Sequence, residues 1–160
     1  MFNIVLLSPG NPENTGNIGR MCVCTNSKLH LIRPFTFSLT DRAVKKSGMD
    51  YWKKVDVTVY NSYEEFLEIN NYPKIYMGST KSKQTYADAS FKKGDFIMFG
   101  NENTGIPEEI LLKNEKDCIR IPMHKDERSL NVATAAAIIT YEAMRQNDFF
   151  ELEQESKYFD

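Results

Sequence analysis

The chain is poor in the residues that build disulfide frameworks and metal centres. Its 160 residues include three cysteines, Cys22, Cys24 and Cys118, and two histidines, His30 and His124. An odd cysteine count without CxxC spacing predicts reduced core thiols and a cytoplasmic protein. Two isolated histidines are too few to indicate a zinc site, so we expect no metal.

Long apolar runs are absent as well. No stretch approaches the roughly 18–20 uncharged apolar residues that a membrane span requires, so we expect no membrane association. Residues 1–7 lack the basic start of a signal peptide and read as a first strand. With 41% hydrophobic residues, the length suits one compact domain. We assign residues 1–147 to this domain and residues 148–160 to an acidic C-terminal tail.

The chain also has no overall excess of positive charge. Its formal net charge of −2 argues against a general electrostatic binder of nucleic acids. The distribution is uneven, because residues 148–160 carry a net charge of −4 and leave +2 for residues 1–147. Basic residues, among them Arg42, Lys45 and Lys46, cluster between positions 42 and 54. They form either part of a nucleic-acid-binding face or an ordinary solvated surface.

What the sequence does contain is a regular alternation of strand-like and helix-like segments. Short apolar runs predict strands at Ile4–Leu7, Leu29–Ile32, Val57–Tyr60, Ile75–Met77, Phe96–Phe99 and Cys118–Ile121. Between and after them, helical segments are predicted at about 15–25, 40–47, 62–69, 107–112 and 129–145. This alternation predicts an α/β fold with a mainly parallel sheet covered by helices on both faces.

The last predicted helix is unusual because its residues 132–140 are small or apolar on nearly every side. Such a helix either lies deep in the core of its own chain or buries one face there and packs closely against another chain with the other. The sequence leaves both arrangements open.

Three loops rich in Gly, Asn and Pro follow predicted strands, at residues 11–20, 99–107 and 120–131. Ligands bind at the carboxyl ends of strands in open α/β sheets, and glycine lets them approach the main chain. The first loop is either a phosphate cradle with Arg20 nearby or an Asn-capped helix start. In the second loop, Glu102 accepts hydrogen bonds from a ligand or caps the next helix. The third loop offers an apolar turn for a flat ring.

Taken together and in this order, these loops resemble one family. The segments NIVL, NTGNIGR, GMDYW, FGNENTGIP, RIPM and RSLN…YEAMRQ are similar to those of the SPOUT (α/β-knot) methyltransferases. Among these, the chain most resembles the small tRNA wobble-nucleotide 2′-O-methyltransferases. The resemblance covers nearly the whole chain. It departs from the family at Val132-Ala133, where close relatives often have Leu-Ser.

The resemblance implies a deep trefoil knot in the C-terminal part, a homodimer and S-adenosylmethionine as methyl donor, with S-adenosylhomocysteine as product. Carried onto this sequence, the cofactor-binding residues are Met77, Gly78, Ser79, Gly100, Asn101, Glu102, Gly105, Ile121, Met123, Ser129 and Leu130. The implied catalytic residues are Arg20, Asn14, Glu102 and Asn131, with Arg20 entering the site of the partner subunit. RNA contacts are expected from Arg20, Arg42, Lys45 and Lys46.

The implied reaction is methyl transfer to the ribose 2′-hydroxyl of nucleotide 34, a cytidine or modified uridine in the anticodon loop of tRNA, with leucine tRNAs as the expected substrates. Because a guanidinium stays protonated at ordinary pH, we expect Arg20 to grip a phosphate rather than act as a base. The proton then leaves to a phosphate oxygen, water or Glu102. Two rivals are a same-fold enzyme acting on ribosomal RNA and a catalytically silent knotted RNA-binding protein.

Overall fold

The described part of the chain, residues 1–40, 42–150 and 152–159 of a computed structural model, alternates strands and helices much as the sequence predicts. The strands are β1 (Asn3–Leu7), β2 (Lys28–Ile32), β3 (Val57–Tyr60), β4 (Ile75–Gly78), β5 (Phe96–Phe99) and β6 (Cys118–Ile119). The α-helices are α1 (Pro12–Cys24), α2 (Arg42–Gly48), α3 (Tyr63–Ile69), α4 (Glu108–Lys113) and α5 (Val132–Arg145). Short 3₁₀ segments span Met49–Lys54, Tyr86–Asp88, Glu115–Asp117 and Lys157–Phe159.

The named strands form one sheet in the order β3-β2-β1-β5-β4-β6, and every pairing between them is parallel. This confirms the predicted α/β fold. From β1 the chain first builds outward through β2 to β3, then crosses to the other side of β1 for β4, β5 and β6. The strand order therefore reverses next to β1, and an open parallel sheet has its ligand crevice at such a point.

Both faces of the sheet are covered, which explains why its central strands are apolar without interruption. In β1, Ile4 and Leu6 point into a core that also contains Ile18 of α1 and Ile139 of α5. The alternate residues, such as Val5, belong to a second core on the opposite face, with Phe66 of α3 and Leu111 of α4.

Side-chain caps set the starts of two helices and correct the predicted boundaries. The Asn11 Oδ1 accepts from the backbone N–H groups of Glu13 and Asn14, so α1 begins at Pro12 and not near Thr15. The Asn131 Oδ1 likewise accepts from two backbone N–H groups of the first turn, so α5 begins at Val132 rather than at position 129. The last strand ends at Ile119 because the following residue pairs only with Thr85, as an isolated bridge.

Helix α5 buries one face within its own chain. Ala136, Ile139 and Ala143 lie in the first core, whereas Tyr141 on the outward side is 45% exposed. Of the two arrangements that the sequence left open, the helix is thus buried on one face and not all round.

The chain stays attached to the domain beyond α5. Phe149, Phe150 and Leu152 pack against the first core, and the Phe150 ring centre lies 5.6 Å from that of Phe2. The tail is therefore anchored at the amino-terminal edge of the sheet, opposite the three loops. None of the helices in the described ranges is long and apolar enough to cross a membrane.

Candidate active site

A cavity of about 620 Å³ opens where β4, β5 and β6 end. Its polar and charged lining residues are Asn14, Ser79, Thr80, Lys81, Asn101, Glu102, Asn103, Thr104, Arg128, Ser129 and Asn131. Its remaining walls come from Gly78, Phe99, Gly100, Gly105, Ile106, Leu111, Ile119, Ile121, Met123, Leu130, Val132, Ala135 and Ile139. A cavity of this size with an apolar wall and a few converging polar groups is typical of small-molecule sites.

The loop after β5 is a tight closed turn. The Gly105 N–H donates to the Asn101 carbonyl at 2.8 Å, and the Asn101 Oδ1 accepts from the N–H groups of Asn103 and Thr104. A Cβ on Gly100 would lie 2.1 Å from the carbonyl carbon of Gly105, and Gly105 itself has a φ of +72°. Both glycines are therefore required by the turn, for close approach and for left-handed backbone respectively.

Glu102 joins this turn to the loop after β1. Its carboxylate accepts from the backbone N–H groups of Gly10 at 2.7 Å and Asn11 at 3.1 Å, and from the Asn14 Nδ2 at 3.2 Å. Of the roles considered for Glu102 in the sequence, capping the next helix is wrong, because α4 follows Pro107 without a side-chain cap. The carboxylate instead holds two loops in register.

Asn14 extends this connection to the third loop. Its Oδ1 accepts from the Asn131 Nδ2 at 2.9 Å, while its own Nδ2 donates to Glu102. Three of the four predicted catalytic residues, Asn14, Glu102 and Asn131, thus form one continuous series of hydrogen bonds across three loops. Asn14 is 8% exposed, so its amide is held largely away from solvent.

Most of the predicted cofactor-binding residues meet in the cavity. Gly78, Ser79, Gly100, Asn101, Glu102, Gly105, Ile121, Met123, Ser129 and Leu130 all line it. Met77 is the exception, because its side chain is fully buried in the second core. The alternation of β4 explains this, because Ile75 and Met77 both point to the second core while Tyr76 points to the first. The strand ends at Gly78, and the loop begins at Ser79.

Arg20 does not line the cavity of its own chain. It is exposed on α1, and its guanidinium carbon is 5.0 Å from the centre of the Tyr51 ring. The 3₁₀ segment that carries Tyr51 packs tightly on α1, since a Cβ on Gly19 would lie 2.5 Å from the Trp52 ring. The other predicted RNA-contacting residues, Arg42, Lys45 and Lys46, are exposed on α2.

Two cations in the lining were missed by sequence reasoning. Lys81 and Arg128 both line the cavity, so its described charged residues are these two and Glu102. Each lies within two residues of a predicted site residue, Ser79 and Ser129. The position of a residue in a loop does not predict where its side chain lies, so only the fold reveals that Lys81 and Arg128 line the cavity.

The cysteines are only partly as predicted. All three are free thiols, and burial raises the pKa of Cys22 and of Cys118. Cys24, however, is exposed at the end of α1 rather than buried in the core. In the described part of the chain, no group of three or more His, Cys, Asp or Glu side chains is arranged to hold a metal ion.

Residues 1–141 match the model of the SpoU rRNA Methylase family. A protein of Listeria monocytogenes serotype 4b (strain F2365) is 45% identical over 159 residues, covering 98% of this chain and 94% of the relative, and its name provisionally assigns it as a tRNA (cytidine(34)-2′-O)-methyltransferase. The chain belongs to the SpoU rRNA methylase family. The Escherichia coli (strain K12) tRNA (cytidine(34)-2′-O)-methyltransferase is 41% identical over 91% of this chain and 94% of its own.

A solved structure supports the same placement within the SpoU family. It is described as giving insight into the 2-OH methylation of C/U34 on tRNA. It superposes with a TM-score of 0.88 at 37% identity, and the match covers 92% of this chain and 97% of that one. The predicted resemblance is therefore confirmed at the level of sequence, fold and length.

Proposed function

We propose that this SpoU-family chain is an S-adenosylmethionine-dependent methyltransferase that modifies the ribose 2′-hydroxyl of nucleotide 34 in tRNA. The observation that carries the proposal is the cavity bounded by three loops, in which hydrogen bonds join Asn14 to Glu102 and to Asn131. It occurs in a protein of the SpoU family. Relatives at 41% and 45% identity that bear the name of this activity support it. Within this reaction, leucine tRNAs are the expected substrates.

The residues of the cavity fit the methyl donor. Its volume of about 620 Å³ lies in the range typical of pockets that bind small molecules such as S-adenosylmethionine. Leu111, Ile121 and Ile139 provide an apolar wall for a flat ring, and the closed turn at Gly100–Gly105 places main-chain groups beside it. Glu102 supplies negative charge for a cationic ligand, while Lys81 and Arg128 supply partners for a carboxylate.

S-adenosylmethionine, when bound, supplies a methyl group attached to a positively charged sulfur. Methyl transfer to a hydroxyl is an in-line displacement, so the protein's main task is to align the two reactants. The hydrogen-bonded series Glu102–Asn14–Asn131, with Asn14 in the middle, suits this task because it fixes three loops against one another. We assign Glu102 this positioning role, since three N–H donors already occupy most of the acceptor capacity of its carboxylate. The ribose proton then leaves to a phosphate oxygen or to water.

Arg20 is proposed to grip the phosphate next to the methylated ribose and to stabilise the developing alkoxide. Because it does not line the cavity of its own chain, it is proposed to act in the cavity of a partner subunit. Arg42, Lys45 and Lys46 extend this positive surface along α2 and are proposed to contact further phosphates. A target in the anticodon loop suits such an enzyme, because single-stranded bases can be splayed out.

A homodimer is the assembly that this arrangement requires. The outward side of α5 carries Ala137, Ile138 and Tyr141, which form a partly exposed apolar strip. Small residues permit close approach of a second helix. The C-terminal trefoil knot that the SPOUT resemblance implies is part of the same proposal. A cytoplasmic location fits an enzyme acting on tRNA and the free state of all three cysteines.

The deciding experiment is transfer of labelled methyl to tRNA that lacks ribose methylation at position 34, followed by nucleoside analysis. We expect label in 2′-O-methylcytidine or a 2′-O-methyluridine derivative at position 34. Ribosomal RNA from a strain without its own 2′-O-methylation is the parallel substrate, because the family description names rRNA. Label in rRNA alone would mean that the substrate is ribosomal RNA and not tRNA. Absence of cofactor binding would mean that the protein binds RNA without catalysing methyl transfer.

A further inference from the structure

A stack of two aromatic rings and one guanidinium follows β2 directly. The ring centres of Phe35 and Phe37 are 5.0 Å apart with an angle of 29° between the planes, and the Arg33 guanidinium carbon lies 4.7 Å from the centre of Phe35. Neither the cavity nor the proposed reaction makes use of these residues.

The stack is held in place on one side and accessible on the other. Phe35 is partly buried and packs against the first core, which fixes the base of the stack. Phe37 is half-buried and is not part of either core, and Arg33 is exposed. Rings that are prepositioned and still reachable bind a flat partner at low entropic cost.

The chemistry of the stack matches a nucleobase. Single-stranded nucleic acids are bound by combining aromatic rings, on which bases stack, with positive charge that meets the backbone. Arg33 adds a planar cation that stacks on bases and pairs with phosphates. The next helix, α2, carries exposed Arg42, Lys45 and Lys46, so the surroundings are positively charged as well.

The stack lies at the same edge of the sheet as the cavity. The Ser8 N–H donates to the Ile32 carbonyl at 2.9 Å, which ties the end of β2 to the loop after β1. The next residues of that loop, Gly10 and Asn11, bind Glu102 in the cavity wall. One loop therefore separates the stack from the cavity.

We propose that Arg33, Phe35 and Phe37 form a stacking platform for a base that flanks nucleotide 34 in the anticodon loop. The inference rests on the proposed function and adds a binding site for the neighbouring nucleotide. The platform holds the flanking base while the target ribose enters the cavity, so it contributes to RNA affinity and not to cofactor affinity.

The test compares Phe37→Leu with Phe37→Tyr in equilibrium binding of an anticodon stem-loop RNA. Because Phe37→Leu loses one stacking contact, we expect its Kd for the RNA to be about 5- to 100-fold higher than that of the protein without a substitution. Phe37→Tyr keeps an aromatic ring, so its Kd is expected to stay near the original value. Affinity for S-adenosylhomocysteine stays unchanged in both. Tyr72→Leu is the matched control, because Tyr72 is 69% exposed and precedes β4 at the opposite edge of the sheet.

Abasic RNAs identify the stacked base. The unmodified protein loses affinity when the base at one position beside nucleotide 34 is removed, and Phe37→Leu shows no further loss with that RNA. The inference is overturned if Phe37→Leu binds RNA normally, if every abasic RNA loses affinity equally in both proteins, or if light scattering shows that the variant has changed its oligomeric state. Failure of the unmodified protein to bind or methylate any tRNA would instead overturn the proposed function.

Discussion

At the scale of single residues, the site depends on side chains that hold other groups in place. The Glu102 carboxylate accepts hydrogen bonds from Gly10, Asn11 and Asn14. The Tyr51 ring lies against the Arg20 guanidinium. Neither arrangement follows from the motif in which the residue occurs, because the partners are 31 to 92 positions away along the chain.

Tyr51 is predicted to position Arg20. A cation over an aromatic face at an exposed site is stabilised by about 0.5–1 kcal/mol, so Tyr51→Leu is expected to lower kcat for tRNA methylation about 2- to 5-fold. Tyr51→Phe keeps the ring and is expected to keep the rate. In an Arg20→Ala background, Tyr51→Leu should have no further effect. A further drop there would mean that the ring acts independently of Arg20.

Gly100 is predicted to be intolerant of any side chain. A Cβ at this position would lie 2.1 Å from the Gly105 backbone, so the turn must open. We expect Gly100→Ala to cost about 1–3 kcal/mol of unfolding free energy, and to weaken S-adenosylhomocysteine binding at least about tenfold, measured by calorimetry.

Gly94→Ala provides the control for this substitution. Gly94 has a φ of +94°, but a Cβ there would meet no atom within 4 Å. The variant is expected to lose stability through backbone strain while it keeps its cofactor affinity. Equal losses of affinity in both variants would show that general destabilisation, and not the turn, explains the result.

At the scale of elements, helix α5 links fold stability to the site through the residue that caps its N-terminus, Asn131. The Asn131 Oδ1 caps the helix, and the Asn131 Nδ2 donates to Asn14. One side chain thus closes the backbone of a core helix and completes the hydrogen-bonded chain that runs to Glu102. The two functions use different atoms and can be separated.

Asn131→Asp is predicted to keep the cap and lose the link. A carboxylate accepts from the helix N–H groups as well as an amide oxygen does, but it has no N–H for Asn14. We expect the free energy of unfolding to stay within about 1 kcal/mol of the original value and methyl transfer to fall about tenfold, because a hydrogen bond at a partly buried site is lost. Asn131→Ala should lose both. Normal transfer in Asn131→Asp would show that the Asn14 contact is dispensable.

At the scale of the whole molecule, stability depends on a neutral histidine inside the sheet. The His30 Nδ1 lies 2.8 Å from the Tyr60 hydroxyl and its Nε2 lies 3.1 Å from the Asn3 Oδ1. His30 is 4% exposed, and burial, with a contribution from nearby Lys28, lowers its pKa from 6.5 to about 4. The folded state therefore takes up a proton at this site less readily than the unfolded state does.

The sign of the resulting pH dependence follows from this difference. Above pH 6.5 the side chain is neutral in both states, and between pH 6.5 and 4 only the unfolded state gains a proton, so acid destabilises the fold. Between pH 6.5 and 4, we expect the free energy of unfolding to fall by about 3 kcal/mol more in the original protein than in the His30→Gln variant. Urea unfolding at fixed protein concentration measures this difference. Parallel pH curves for the two proteins would mean that His30 is protonated in the folded state.

The sequence by itself determined the order of strands and helices, the parallel sheet, and the three loops that surround the cavity. These features are local, because apolar runs, Asn and Ser caps and glycine turns each depend on residues that are close together in the sequence. Tertiary structure alone decided which side chains meet. It placed Met77 in the core, brought Lys81 and Arg128 into the cavity lining, and bound Glu102 to the loop after β1. It also set Arg20 against Tyr51 and left it out of the lining of its own cavity. These contacts join residues that are distant along the chain, and only the register of the parallel strands brings them together.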